Sequence, residues 1–257
     1  MVDQKTKLVL LCSDNPTTWI IYNRLVQEFG PFPVLIEPHV SRQVLLRNRI
    51  RKLGLLAALS QVAFVIIIRP LLNFAGKRRI GEICRQQGLE RTRPMSSHII
   101  PIDSVNGAAC EAFLRDAKAD VIIVNGTRII RPRILAATGT PFINVHQGIT
   151  PQYRGAHGAY WALLHNDAAH CGVTVHLVDE GIDTGGIIAQ AIIEPKPADS
   201  FVTYAYLQTA AALPLLLAAI KNPLAGSVET QSHQGLSRVW YHPGFFGYIF
   251  GRLRGVR

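Results

Sequence analysis

The stretch from Val121 to His146, VIIVNGTRIIRPRILAATGTPFINVH, carries the pattern that decides the fold. Val121 to Val124 is an apolar run of strand length, Pro132 to Ala137 has helical spacing behind a proline, and Phe142 to Val145 is a second apolar run. Two short runs, the first apolar at every position and the second interrupted only by Asn144, joined through a helix, describe neighbouring parallel strands buried on both faces. The second run ends on two polar side chains, Asn144 and His146, at the carboxyl end where open parallel sheets receive ligands.

The same pattern extends outward in both directions. Leu8 to Leu11 and Val34 to Ile36 read as strands around a helix from Thr17 to Phe29, Ile99 to Ile102 is extended, and Ile80 to Gln87 and Cys110 to Lys118 are helical. Beyond His146, Val173 to Val178 and Gly186 to Ile193 read as strands, and Thr203 to Ile220 is a long apolar helix. This alternation predicts an α/β fold, an open and mostly parallel Rossmann-like sheet with helices on both faces.

With 257 residues, 48% of them apolar and 17% charged, the chain can bury a full core. The formal charge of +10 favours an anionic partner, whether nucleic acid, a lipid surface or a phosphorylated small molecule. Cys12, Cys84, Cys110 and Cys171 are widely spaced, which suggests neither a zinc site nor a disulfide framework and fits a reducing compartment. The apolar run near the N-terminus is too short for a secretory signal, so a cytoplasmic location is expected.

One segment breaks the pattern. Between Ser41 and Gly81 stand nine basic residues and no acidic one, around the apolar run Leu53 to Ile68. At 16 residues this run is short of the about 20 needed to cross a bilayer. Two readings stay open, a basic helical insertion packed on the domain or on a second subunit of a homodimer, and an interfacial helix peripheral to an anionic membrane. The C-terminal HPGFFGYIFGRLRGVR repeats the mixture of aromatics and arginines.

From Asn125 to Glu194 the sequence resembles the folate-dependent formyltransferase family, which includes glycinamide ribonucleotide transformylase, methionyl-tRNA formyltransferase and the sugar N-formyltransferases. The resemblance rests on NVHQGITPQYRGA and GVTVHLVDEGIDTGGII, two motifs in the family's order and approximate spacing. It implies a catalytic trio of Asn144, His146 and Asp183 and a formyl transfer from 10-formyltetrahydrofolate to an amine, without a metal. It also implies that main-chain groups at Thr127, Arg128, Ile129 and Ile130, and at Val178, Asp179, Glu180 and Gly181, hold the folate. The chemistry agrees with the residue types: an amine attacking a formyl carbon needs donors for an oxyanion and an acceptor for a proton. His176 competes with His146 for a direct role, or serves as a structural partner of the loop. Ile129 is either part of the folate grip or a core residue of a plain connection.

The acceptor amine is less legible. Phosphate-binding relatives often carry glycines in the first loop, where this chain has CSDNPTTW, so Ser13, Asn15 and Thr17 either hold an anion or simply cap the first helix. Arg154 is the other candidate for an anionic substrate. The catalytic domain is expected over 1–220, including the insertion at about 41–80, with an extension over 221–257. Only 37 residues (257 − 220) follow the long helix, so tRNA is not expected as a partner. An amino sugar, nucleotide-linked or lipid-linked, is the expected acceptor. The alternatives are hydrolysis of 10-formyltetrahydrofolate and a catalytically silent membrane-associated scaffold.

Overall fold

The computed structural model describes residues 6–221 and 236–256. Its strands are β1 (Leu8–Ser13), β2 (Val34–Glu37), β3 (Ile99–Pro101), β4 (Val121–Asn125), β5 (Phe142–His146), β6 (Arg154–Gly155), β7 (Gly172–Leu177), β8 (Ile187–Ile192) and β9 (Val239–Trp240). Seven of them form one sheet in the order β3-β2-β1-β4-β5-β7-β8. The first five are parallel, and β7 and β8 join antiparallel, so the sheet is mostly parallel as the sequence predicts. The strand order reverses at β1, which has β2 on one side and β4 on the other, and this opens a crevice beyond their carboxyl ends.

Helices α1 (Pro16–Phe29), α2 (Arg42–Leu53), α3 (Leu55–Ala63), α4 (Arg69–Gln86), α5 (Ala108–Ala117), α6 (Pro132–Leu135), α7 (Gly158–Leu164), α8 (Phe201–Lys221) and α9 (Phe245–Leu253) complete the described residues. Alternate strand positions feed two cores. Leu8, Leu10, Val121 and Ile123 pack under α1 and α8, whereas Val9, Leu11, Ile122 and Val124 pack under α5 and α6. Because both faces are covered, every residue of β1, β2 and β4 is buried, which explains their uninterrupted apolar runs.

The insertion departs from the expected boundaries. The helix predicted for Ile80 to Gln87 is the last part of a longer rod in which α3 passes through a π-helical stretch, Phe64–Ile68, into α4. No glycine stops it before Gly76, and Pro70 falls within the first two positions of α4, where its missing N–H interrupts least. The rod is fixed to the sheet domain by its inner face. Gly76 lies so close to α8 that an added Cβ would stand 2.6 Å from Val202 Cγ2. Arg79 Nε donates to the buried carboxylate of Asp199 at 2.7 Å. Phe64 is fully buried against Phe201 and Tyr248.

The tail also joins this layer. Gly155 pairs with Trp240 in a two-stranded ribbon of β6 and β9, and α9 seats Tyr248 beside Tyr160. Strands of two residues carry no periodicity, so neither β6 nor β9 is visible in the sequence.

Candidate active site

The site assembles where β5 ends. Antiparallel register places His176 of β7 directly opposite Asn144 of β5, so the two side chains share a face, and the β7–β8 pairing is irregular between Val175 and His176. Asp183 arrives from the loop between β7 and β8 with a left-handed backbone, φ 50°. Its Oδ2 lies 3.3 Å from His146 Nδ1, and its Oδ1 lies 3.7 Å from His176 Nε2. Gly155 N–H donates to the same Oδ2 at 2.8 Å, so the turn after β5 fixes the carboxylate in place. The predicted trio therefore converges, although 37 residues (183 − 146) separate His146 from Asp183 in the chain.

Hydrogen bonding assigns the protons. His146 Nε2 stands 2.8 Å from the Tyr153 carbonyl, which only accepts, so this nitrogen carries hydrogen. In neutral His146 the lone pair then sits on Nδ1 and faces Asp183. His176 Nδ1 is 2.6 Å from the Leu177 carbonyl and must be its protonated nitrogen, which leaves Nε2 to accept from Asn144 Nδ2 at 3.0 Å. One Asn144 N–H is thereby held by His176, and the second is free to meet a substrate oxygen.

Burial dominates the titration of His146 and lowers its pKa from the ordinary 6.5, against the upward pull of Asp183 and the Tyr153 carbonyl. For Asp183 burial acts upward, but the positive charge that His146 and His176 carry when protonated, together with the Gly155 amide, outweighs it and holds the carboxyl at about 2. At neutral pH the ground state is thus an ionised Asp183 beside a neutral His146. A proton arriving between them would be bonded by Asp183 on one side, with the opposite ring nitrogen already donating to Tyr153.

Glycine is required at two points in this geometry. A Cβ on Gly148 would lie 2.2 Å from the Tyr153 carbonyl oxygen and 2.7 Å from His146 Nε2. Gly155 has φ 93° and would meet the Trp240 carbonyl at 2.3 Å.

The loop expected to hold the folate is braced from outside. The buried Glu37 accepts from Arg128 N–H at 2.8 Å and from Val105 N–H at 3.0 Å, while Arg128 Nε pairs with it at 2.7 Å. Asn106 donates to the Ile129 carbonyl and accepts from Arg131 N–H. Ile130 is the core residue here and Ile129 is 57% exposed, so the reading of Ile129 as core is corrected. Thr127 lies partly buried beside it. Across the crevice, Val178 N–H donates to the Phe142 carbonyl, Asp179 Oδ1 accepts from Gly181 N–H and Thr184, and Glu180 is exposed. Glu37 and Asn106 brace this loop and were not singled out in the sequence; an acid closing an apolar strand was the available signal for Glu37.

The first loop behaves as a cap. Asn15 accepts from Thr18 N–H at 3.0 Å and from Thr17 Oγ1 at 2.6 Å, and Ser13 Oγ donates to the Gly126 carbonyl. Asp14 stands beside them, bound to Trp19 Nε1 and Arg93, and its charge opposes an anion at that helix end. Arg154 reaches the Ile182 carbonyl at 3.2 Å, so it braces the loop that bears Asp183.

Comparisons with known proteins agree with this architecture. Residues 101–216 match the Formyl transferase family. A methionyl-tRNA formyltransferase of Agathobacter rectalis is 38% identical over 89 residues, covering 34% of this chain and 28% of that protein. The chain matches about a third of the length of such curated relatives. Among solved structures, a sugar N-formyltransferase from a Shewanella species superposes with TM-score 0.55 at 15% identity, over 91% of this chain and 76% of that one. Glycinamide ribonucleotide transformylase 1 from Symbiobacterium toebii gives 0.54 at 18% identity, over 85% and 87%. The segment that carries Asn144, His146 and Asp183 belongs to the formyl transferase family, and the described chain has the formyltransferase fold.

Proposed function

We propose that the protein moves a formyl group from 10-formyltetrahydrofolate to the primary amine of an amino sugar. The observation that carries this reading is the convergence of Asn144, His146 and Asp183, with a neutral imidazole 3.3 Å from an ionised carboxylate. The folate supplies a formyl carbon at the formate level on a nitrogen leaving group. The exposed Ile129 at the crevice mouth offers apolar surface for a flat ring, and the bracing by Glu37 and Asn106 keeps the surrounding main chain in place.

In this reading the second N–H of Asn144 donates to the formyl oxygen as charge builds there. Asp183 accepts a proton from the attacking amine and shares it with His146 Nδ1, which leaves the imidazolium bonded at both nitrogens. The same proton then returns to the departing nitrogen, so the site ends as it began. No covalent enzyme intermediate is needed.

The amino sugar is favoured because the Shewanella sugar N-formyltransferase matches 91% of this chain in fold, while the Agathobacter methionyl-tRNA formyltransferase aligns in sequence over 34% of it. The first loop, used for capping and carrying Asp14, argues against a small phosphorylated amine bound there. A panel of nucleotide-linked and lipid-linked amino sugars, offered with 10-formyltetrahydrofolate, tests this. Formylated product from at least one of them is expected; product only from glycinamide ribonucleotide or a charged tRNA would assign the acceptor elsewhere.

A further inference from the structure

The rod formed by α3, the π-helical stretch and α4 has two apolar faces, and the sheet domain covers one. Ala58, Phe64, Gly76, Ile80 and Ile83 point inward at helical spacing. The opposite face carries Leu56, Ile66, Leu71 and Phe74 where a soluble surface helix would carry charge, and Leu56 and Phe74 are 84% and 85% exposed. Helix α9 lies alongside α3 and the π-helical stretch and adds Phe246 and Leu253, also exposed. The contrast with α8 is direct. Of the most apolar stretch of the rod 17% is buried, against 56% for α8, which is a core helix.

The geometry points to this face as a docking surface for an anionic phospholipid bilayer, on which the protein lies without crossing it. Crossing is excluded by the inner face: Gln61 donates to the His242 carbonyl at 2.8 Å and Arg79 is bonded to Asp199, so the rod cannot leave the domain without stranding buried polar groups. Charge selects the occupant. Neither the segment from Ser41 to Gly81 nor that from Leu236 to Arg257 contains an acidic residue, while the first has nine basic residues and the second four arginines. Arg78 and Arg79 are already paired with Glu82 and Asp199, but the other seven basic residues of the first segment have no acid within it, and a second copy docked on the same patch would set them against one another. An anionic lipid surface supplies the missing charge, and its hydrocarbon accepts the leucines and phenylalanines. Nucleic acid supplies charge, and bases to stack on the phenylalanines, but no hydrocarbon to cover the leucines and isoleucines.

The inner face of the rod adjoins the catalytic turn. His242, held by Gln61, meets His157 at 2.9 Å, and His157 lies two residues beyond Gly155, whose amide holds Asp183. A bilayer docked on the outer face would lie across the rod from that turn, which suits an acceptor amine presented on a lipid carrier. That last consequence rests on the formyl transfer proposed above. The docking surface does not, and its test reads no chemistry.

The test is flotation of the full chain with vesicles of phosphatidylcholine alone and of phosphatidylcholine mixed with phosphatidylglycerol. Binding is expected to the mixed vesicles, several-fold weaker when salt rises from about 0.1 M to about 0.5 M. The paired substitution Leu56→Glu and Phe74→Glu should lower the bound fraction at least tenfold while leaving the melting temperature unchanged, since both side chains are exposed. Met95→Glu, on the exposed loop before β3, should bind as the unaltered protein does. Failure to float with the mixed vesicles, or flotation indifferent to the paired substitution, overturns the inference. A concentration-dependent dimer abolished by that substitution assigns the face to a second copy, and binding of RNA in place of vesicles assigns it to nucleic acid; either result also overturns it.

Discussion

At the scale of single residues, the site depends on which atoms hold protons. Asn144 has one N–H committed to His176 and one available, so Asn144→Ala should lower kcat by about 10²- to 10³-fold, as loss of one oxyanion donor does. His176 acts through Asn144 and is a positioning residue. His176→Phe should reduce kcat by roughly tenfold to a hundredfold with little change in KM for the folate, and His176→Gln, whose amide oxygen can accept from Asn144, should restore much of the loss. Equal losses in the two variants would show that His176 matters for packing alone. The pH profile follows from the ground state. The proposed transfer uses neutral His146, whose pKa is lowered from 6.5, so kcat/KM should hold through neutrality and fall as pH drops below 6.5. Asp183, held at about 2, stays ionised across that range and does not set the limb. An acid limb centred above 6.5 would contradict this assignment.

Elements bring these residues together. Asn144 and His146 were legible because β5 is an apolar run ending in polar residues, and Asp183 because its loop resembles a known motif. His176 stood in the sequence as a rival to His146 or a structural partner of the loop, and its pairing with Asn144 was hidden because it comes from antiparallel register, which a single strand does not encode. The β6–β9 ribbon was hidden for a similar reason: Gly155 and Trp240 are paired across 85 residues (240 − 155) by strands of two residues each. The insertion was read for its charge and apolar run, but its continuation into α4 was not, because the helix passes a proline at residue 70 that ordinarily marks a boundary. The anchor of that rod can be measured. Arg79→Ala leaves the carboxylate of Asp199, 1% exposed, without its cation, and should cost about 3 kcal/mol in denaturant unfolding, or roughly 6–12 °C in Tm. A loss below about 1 kcal/mol would mean the ion pair does not hold the rod to α8.

For the molecule as a whole, the described tail and the rod form a third layer against the catalytic turn: Tyr153, Tyr160, Phe64, Phe201 and Tyr248 make one core beneath them. This layer makes Gly155, and through it Asp183, dependent on chain segments far from the family motifs. The expected division at residue 220 therefore describes the chain order better than it describes the packing, because residues 239–240 complete the turn that positions the carboxylate. The net charge of +10, unreadable by itself, acquires a direction once nine of the basic residues are found on the rod and its approach. The most direct test of the chemistry is incubation of the protein with 10-formyltetrahydrofolate, with and without a panel of amino sugars, following tetrahydrofolate and the formylated amine together. The account predicts that both appear only when an accepted amine is present, and that neither appears with Asp183→Asn. Formate released without any amine, or undiminished turnover by the Asp183→Asn protein, would contradict it.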